Sequence, residues 1–309
     1  TASTRINLTM ENDAQMVEEV VVVAYGVRKK GTVTGSMSVV KAEQMENVPA
    51  PSFDQALQGT SPGLQVISSS GEPSATADFK IRGTNSINAG TTPLFILDGI
   101  AITDEVFSSI NPNDIESISV LKDASSTSIY GARAANGVVV ITTKRGRSGD
   151  NGQITVRAQY GISKLAYGKW DLMNTTERLN FEEEIGTLIP GKYDRDLLER
   201  TNIDWRDVVY NNAAPLVSVD LQTSGATQNG FNYYVSGNVH SQDGIAVGSD
   251  YKRYTLRANL EAKVNKWFKI GTNASFAYEE INEATSGDYN TVTPISAIHF
   301  MLPYWNPYA

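Results

Sequence analysis

Gln153-Ile154-Thr155-Val156-Arg157-Ala158-Gln159-Tyr160-Gly161-Ile162-Ser163 alternates strictly between apolar and polar residues. In an extended chain Ile154, Val156, Ala158, Tyr160 and Ile162 share one face, and Gln153, Thr155, Arg157, Gln159 and Ser163 share the other. Four later segments repeat the pattern. Val217/Val219/Leu221 oppose Ser218/Asp220/Gln222, and Phe231/Tyr233/Val235/Val239 oppose Asn232/Ser236/Asn238/His240. Tyr254/Leu256/Ala258/Leu260 oppose Arg253/Thr255/Arg257/Glu261, and Phe268/Ile270/Ala274/Phe276/Tyr278 oppose Lys269/Asn273/Ser275. Each segment has about 9 to 11 residues, the length of a tilted strand crossing a bilayer.

Alternation alone leaves the wet face open, because a soluble β-sandwich shows the same pattern with its apolar side turned inward. Two features favour a membrane barrel. The connections alternate in length: long over 164–214, short over 225–230, longer over 242–250, very short over 264–266, and long again after Glu279. On the apolar face, Phe268 and Tyr278 stand about 33 Å apart along a strand, or about 25 Å after a tilt near 40°, the height of the band between aromatic girdles. Five strands cannot close a barrel, since the smallest has eight and an open edge cannot face lipid, so the chain is expected to be incomplete. The closing Pro303-Tyr304-Trp305-Asn306-Pro307-Tyr308-Ala309 reads as loop.

Upstream the composition changes. Only Tyr25, Phe53, Phe79, Phe95, Phe107 and Tyr130 of the 27 aromatic residues precede residue 150, and the charged, glycine-rich stretch 144–152 marks a boundary. Short apolar strands are expected over 63–67, 93–97, 115–121 and 137–142, divided by Gly, Ser, Asn and Pro turns. Helical pieces are expected over 52–59 and 124–130, capped by Ser52 and Asp123. Together these describe a compact α+β domain. Residues 1–16 resemble the tail of a preceding unit.

Across 309 residues, 26 Lys and Arg against 34 Asp and Glu give a net charge of −8, which disfavours nucleic acid as partner. No cysteine is present and the histidines are His240 and His299, so disulfide frameworks, thiolate chemistry and histidine metal clusters are excluded. The longest apolar run, residues 20–25, is far short of the roughly 20 that a spanning helix needs. Glycine-rich phosphate loops, a Gly-x-Ser-x-Gly elbow and helical His pairs are missing from the sequence. Glu182-Glu183-Glu184 with Asp194 and Asp196 could form a hydrolase dyad, but adjacent acids on a predicted helix more often make a solvated face. No enzymatic role and no cofactor are expected.

Three motifs remain. Val20-Val21-Val22-Val23-Ala24-Tyr25-Gly26, between a polar segment and Arg28-Lys29-Lys30, is either an ordinary buried strand or an extended segment that adds to a partner's sheet edge. Asp98-Gly99 after an apolar strand signals a tight turn, and Gly83 permits one after Ile81-Arg82; Arg82 or Asp98 can instead be half of a buried ion pair. The block from Asn111 through Asp114, Leu121, Lys122 and Asp123 to Tyr130-Gly131-Ala132-Arg133-Ala134-Ala135-Asn136-Gly137 reads as turn, strand, capped helix, turn and strand.

At these residues the sequence resembles the SusC/RagA-like branch of the TonB-dependent outer-membrane transporters. The likeness rests on residues 20–26, on Ile81-Arg82-Gly83-Thr84, on Leu97-Asp98-Gly99-Ile100, and above all on the long ordered block 113–137. It implies that 1–19 is the end of a carboxypeptidase-regulatory-like domain with its linker, 20–26 a TonB box, 27–147 a plug, and 148–309 the first strands and loops of a barrel of about 22 strands. The signature positions Arg82, Gly83, Asp98, Gly99, Asp114, Leu121, Lys122, Asp123, Tyr130, Gly131, Arg133, Asn136 and Gly137 would belong to the plug. The resemblance further implies import across the outer membrane of a Bacteroidetes-like Gram-negative cell, driven by the inner-membrane proton gradient through TonB. A SusD-like surface lipoprotein would cap the barrel, and an oligosaccharide or peptide would be the cargo. The rivals are a non-transporting receptor or adhesin and a secreted glycan-binding protein or hydrolase.

Overall fold

The computed structural model describes residues 20–23, 26–29, 37–41, 57, 59, 61–68, 72–73, 75, 77–81, 83, 91–123, 127–147, 151–166, 171–188, 191, 193–284 and 294–307. The expected N-terminal tail, Ala24, Tyr25, Ser52 and Arg82 lie outside these.

Strands β1 (Val20–Val23) and β2 (Gly26–Lys29) pair antiparallel as a two-stranded sheet of their own, with β1 lying near the central strand of the first domain. The first domain is built on β3 (Met37–Lys41), β4 (Leu64–Ser68), β5 (Ala77–Ile81), β6 (Leu94–Leu97), β7 (Ile100–Ile102), β8 (Ile115–Leu121) and β9 (Val138–Thr143). Its main sheet runs β3-β8-β9-β6-β7, with β6 and β9 parallel and the other pairs antiparallel; β4 and β5 form a second, two-stranded sheet. Central β9 is apolar on both faces because both are covered. Val139 and Ile141 enter the larger core, with Phe79, Phe95 and Phe107; Val138 and Val140 enter the smaller one with Ile96, Leu121 and Ala134. The three phenylalanines pack with ring centroids 4.0 to 5.4 Å apart. Short helix α1 (Asp104–Ser108), capped by the Thr103 side chain, supplies Phe107.

The Asp98-Gly99 turn joins β6 to β7 with positive φ at both residues, 48° and 92°, as a tight two-residue hairpin demands. Gly137 has φ 93°, and a Cβ there would lie 2.7 Å from Ile81 Cδ1, so only glycine fits where β9 begins. Of the helical piece expected over 124–130, residues 124–126 lie outside the described residues; Thr127 is helical, and 3-10 turns follow over Ser128–Ala134 with a break at Gly131, φ 70°. The Asp123 carbonyl accepts the Thr127 amide at 3.0 Å, the first i to i+4 bond of that turn.

The second region is one antiparallel sheet in chain order: β10 (Gln153–Ser163), β11 (Ala214–Ala226), β12 (Phe231–Asp243), β13 (Asp250–Lys263) and β14 (Lys269–Asn282). Its burial is inverted relative to a globular sheet. Ile154 is 74% and Val156 66% exposed, whereas Asp220 is 1% and Arg253 2% exposed. A sandwich would hide the apolar face. On β11, β12 and β13 the polar face is covered and the apolar face is open, the pattern of a barrel wall around a filled lumen, while β14 is exposed on both faces.

At the end of the sheet reached by β10, helices α2 (Thr175–Glu184), α3 (Arg195–Leu198) and α4 (Trp205–Val209) fill the long connection, and α5 (Pro294–Phe300) follows β14. These two connections brace each other: Trp205 Nε1 donates to the Leu302 carbonyl at 2.9 Å, and the Ile203 amide to that of Pro303 at 2.7 Å. Glu182 is buried, accepting from Arg178 Nε at 2.7 Å and from the Tyr304 hydroxyl at 3.0 Å, so it is not part of a solvated acidic face. Asp194 caps α3 and Glu183 pairs with Arg195, leaving each of these three acids engaged structurally.

Candidate functional site

The polar face of the sheet meets the first domain in a buried joint, and Arg257 on β13 is its centre. Its Nη1 lies 3.8 Å from Asp98 Oδ2 and its Nε 3.5 Å from Asp114 Oδ2, with all three side chains 6% exposed or less. The two acids come from different elements of the first domain: Asp98 from the β6–β7 turn, Asp114 from the 3-10 turn Pro112–Asp114 that leads into β8. Positive φ at Asp98 turns its carboxylate back on β9, where Oδ1 accepts the Thr143 amide at 3.1 Å and Oδ2 the Thr143 hydroxyl at 2.6 Å. Arg145 Nη2 adds a second cation 3.5 Å from Asp98.

Burial pushes the Asp114 carboxyl above the ordinary carboxylate range, against hydrogen bonds from Ser236 and Tyr234 and the charge of Arg257. Its other oxygen accepts the Tyr234 hydroxyl at 2.9 Å. The joint then spreads through neutral donors. Asn111 Nδ2 donates to Asp220 Oδ2 at 2.8 Å, and Gln222 Nε2 donates to Asp220 Oδ1 at 2.7 Å and to the Asn113 carbonyl at 3.1 Å. Asn259 Nδ2 donates at 2.8 Å to both Thr143 Oγ1 and the Lys144 carbonyl. Sheet register sets this out in rows: Gln222, Ser236 and Arg257 stand side by side on β11, β12 and β13, as do Ser224, Tyr234 and Asn259. Gly146 closes the joint, since a Cβ there would collide with the backbone oxygens of Gly225 and Tyr233.

Such an arrangement binds one domain to another; it holds no nucleophile and base set for chemistry. Of the expected signature residues, Asp98 and Asp114 meet at the joint, and the ion-pair reading of Asp98 describes its surroundings. Leu121, Tyr130 and Gly137 stand at the smaller core, and Gly83, Gly99 and Gly131 each hold positive φ. Lys122 Nζ donates to the Pro62 carbonyl, and Asn136 Nδ2 to that of Thr92 at 3.4 Å. Arg133 is exposed. Val20, Val21, Val22, Val23 and Gly26 lie in the β1–β2 hairpin. The wall partners Asn259 and Tyr234 were missed as site residues. A signal existed for Tyr234, because period two puts it in the polar row, where a phenol needs an acceptor.

The TonB-dependent Receptor Plug Domain family matches residues 29–138. The chain is 35% identical to TonB-dependent receptor P26 of Formosa agariphila over 299 residues, covering 95% of this chain and 30% of that protein. Against TonB-dependent receptor SusC of Bacteroides thetaiotaomicron the identity is 33% over 294 residues, covering 92% and 28%. In structure it is similar to the RagAB peptide importer in its open-open state, with a TM-score of 0.84 and 35% identity over 94% of this chain and 35% of that one. The ferric citrate transporter FecA, at 16% identity and a TM-score of 0.55 over 82% of this chain and 32% of that one, shares the fold. The chain thus spans less than a third of the length of these two curated relatives. It belongs to the SusC/RagA-like TonB-dependent receptors, as a plug domain joined to antiparallel strands of their barrel.

Proposed function

We propose that the protein serves TonB-dependent import of a nutrient, an oligosaccharide or a peptide, across the outer membrane of a Bacteroidetes-like cell, together with a SusD-like surface lipoprotein. In this reading residues 20–26 are the TonB box, 27–147 the plug, and 148–309 the first part of the wall, with 1–19 ending a preceding domain. The observation that carries it is the inverted sheet: an apolar face open to lipid and a polar face fastened to a plug that fills the lumen. The end of the sheet bearing α2 to α5 faces outward, where the lipoprotein would sit, and the box lies in the periplasm. The signature residues act as plug structure, with Asp98 and Asp114 as its anchors.

The second reading is a receptor that binds without transport. Deleting residues 20–26 from the full-length protein separates the two, with growth scored on a panel of single oligosaccharides and peptides. Loss of growth with surface binding retained supports import; unchanged growth favours the receptor.

A further inference from the structure

The hairpin pairs Val20 with Lys29, Val21 with Arg28, Val22 with Val27 and Val23 with Gly26, leaving two residues between the strands. Among the described residues it is a sheet of two strands, so β1 has one edge paired with β2 and one edge with no strand partner, and β1 also lies near β9. The pair beside a two-residue connection is hydrogen-bonded, and antiparallel pairs alternate between hydrogen-bonded and open. The amides and carbonyls of Val21 and Val23 therefore turn towards β2, and those of Val20 and Val22 towards the unpartnered edge.

We propose that the whole β1–β2 hairpin, and not the box strand alone, is the docking unit: an edge strand of the TonB sheet adds along Val20 and Val22 while the Arg28 backbone holds the opposite edge. This rests on the reading of residues 20–26 as the TonB box. Strand addition draws its affinity from main-chain hydrogen bonds, and it is opposed by the entropy of ordering a loose segment. A segment already paired on one edge has lost part of that freedom before its partner arrives. Two strands alone are marginal, and Ala24-Tyr25 lacks the glycine or asparagine that two-residue connections favour. The third strand completes the unit. It makes β1 central and stabilises its pairing with β2 in the same step.

The test uses the full-length protein in detergent and the purified periplasmic domain of the host TonB. Val22→Pro removes an amide from the open edge, Arg28→Pro removes the amide facing Val21, and Arg28→Ala removes the charge while keeping the backbone. The heat-dependent gel shift of a folded barrel is recorded for each. Binding is expected to be lost in Val22→Pro, weakened about tenfold or more in Arg28→Pro, and kept within about twofold in Arg28→Ala. Arg28→Pro binding as well as wild type, or Arg28→Ala weakening as much as Arg28→Pro, overturns the hairpin while leaving the box intact. If Val22→Pro and deletion of 20–26 both bind normally, the box reading fails and the hairpin falls with it.

Discussion

Tyr234 of the wall donates its phenolic hydrogen to Asp114 Oδ1 of the plug at 2.9 Å, and both side chains are buried. Desolvation already holds the Asp114 carboxyl up, and this donor works with Ser236 and Arg257 to offset it. Tyr234→Phe is expected to cost about 1–3 kcal/mol in urea unfolding of the full-length protein in micelles. Tyr233→Phe, one residue away on the other face, should stay within about 0.5 kcal/mol. Equal losses at the two positions would remove Tyr234 from the joint.

Gly146 gives a steric counterpart. Its missing side chain lets the segment that follows β9 pass against the backbone of Gly225 and Tyr233, and neither oxygen can move without breaking the sheet. Gly146→Ala is expected to destabilise by at least the roughly 1–3 kcal/mol typical of overpacking. At Gly161 a Cβ would meet nothing nearer than Leu216 Cβ at 3.9 Å, so Gly161→Ala should be tolerated. Thermal unfolding of both variants decides it.

Local chemistry made the turn at Asp98-Gly99 and the two faces of β10 legible, because two-residue hairpins and period-two strands are written within ten residues. Strands β3, β5 and β7 were not anticipated, being three to five residues long and too short to show a period, and β3 is held by the distant β8. The joint was half legible: Asp220, Gln222 and Arg257 were placed on the polar face, but Asn111 and Asp220 are 109 positions apart, and no local rule pairs them. Glu182 misled for the same reason. Its neighbours suggested a solvated face, whereas Tyr304, 122 positions away, covers it.

Asp204 supplies a pH dependence in the long connection. Hydrogen bonds from Arg206, first from its side chain and then from its backbone, hold the Asp204 carboxyl below the usual carboxylate value, and the side chain also caps α4. A depressed folded pKa contributes stability above the unfolded value of about 3.9 and loses it as pH falls through the folded one. Hydrogen exchange of peptides covering 204–210 should show protection that is flat from about pH 7 to 5 and falls below about pH 4. Asp204→Asn should show weaker protection with no such fall. An identical acid profile in both would assign the change to another group.

Phe276 and Ser275 are neighbours on β14 that face opposite sides of the sheet, which makes them the sharpest test of the wall. Phe276 is 61% exposed on the apolar face and pairs across the sheet with Leu256; Ser275 pairs with Arg257 on the polar face. Lipid on the Phe276 side cannot solvate a charge, so Phe276→Arg is expected to cost about 2–4 kcal/mol if it lies near the midplane. Ser275→Arg points into the lumen beside polar groups and should cost clearly less. Arg253 and Thr255 are unsuited as lumen controls, because both are buried and any change there disturbs the packed wall. The measurement is folding of the full-length protein into lipid vesicles with each substitution. If Ser275→Arg were as damaging as Phe276→Arg, the assignment of lipid and lumen faces would have to be reversed or abandoned, and the sandwich with it would regain its place.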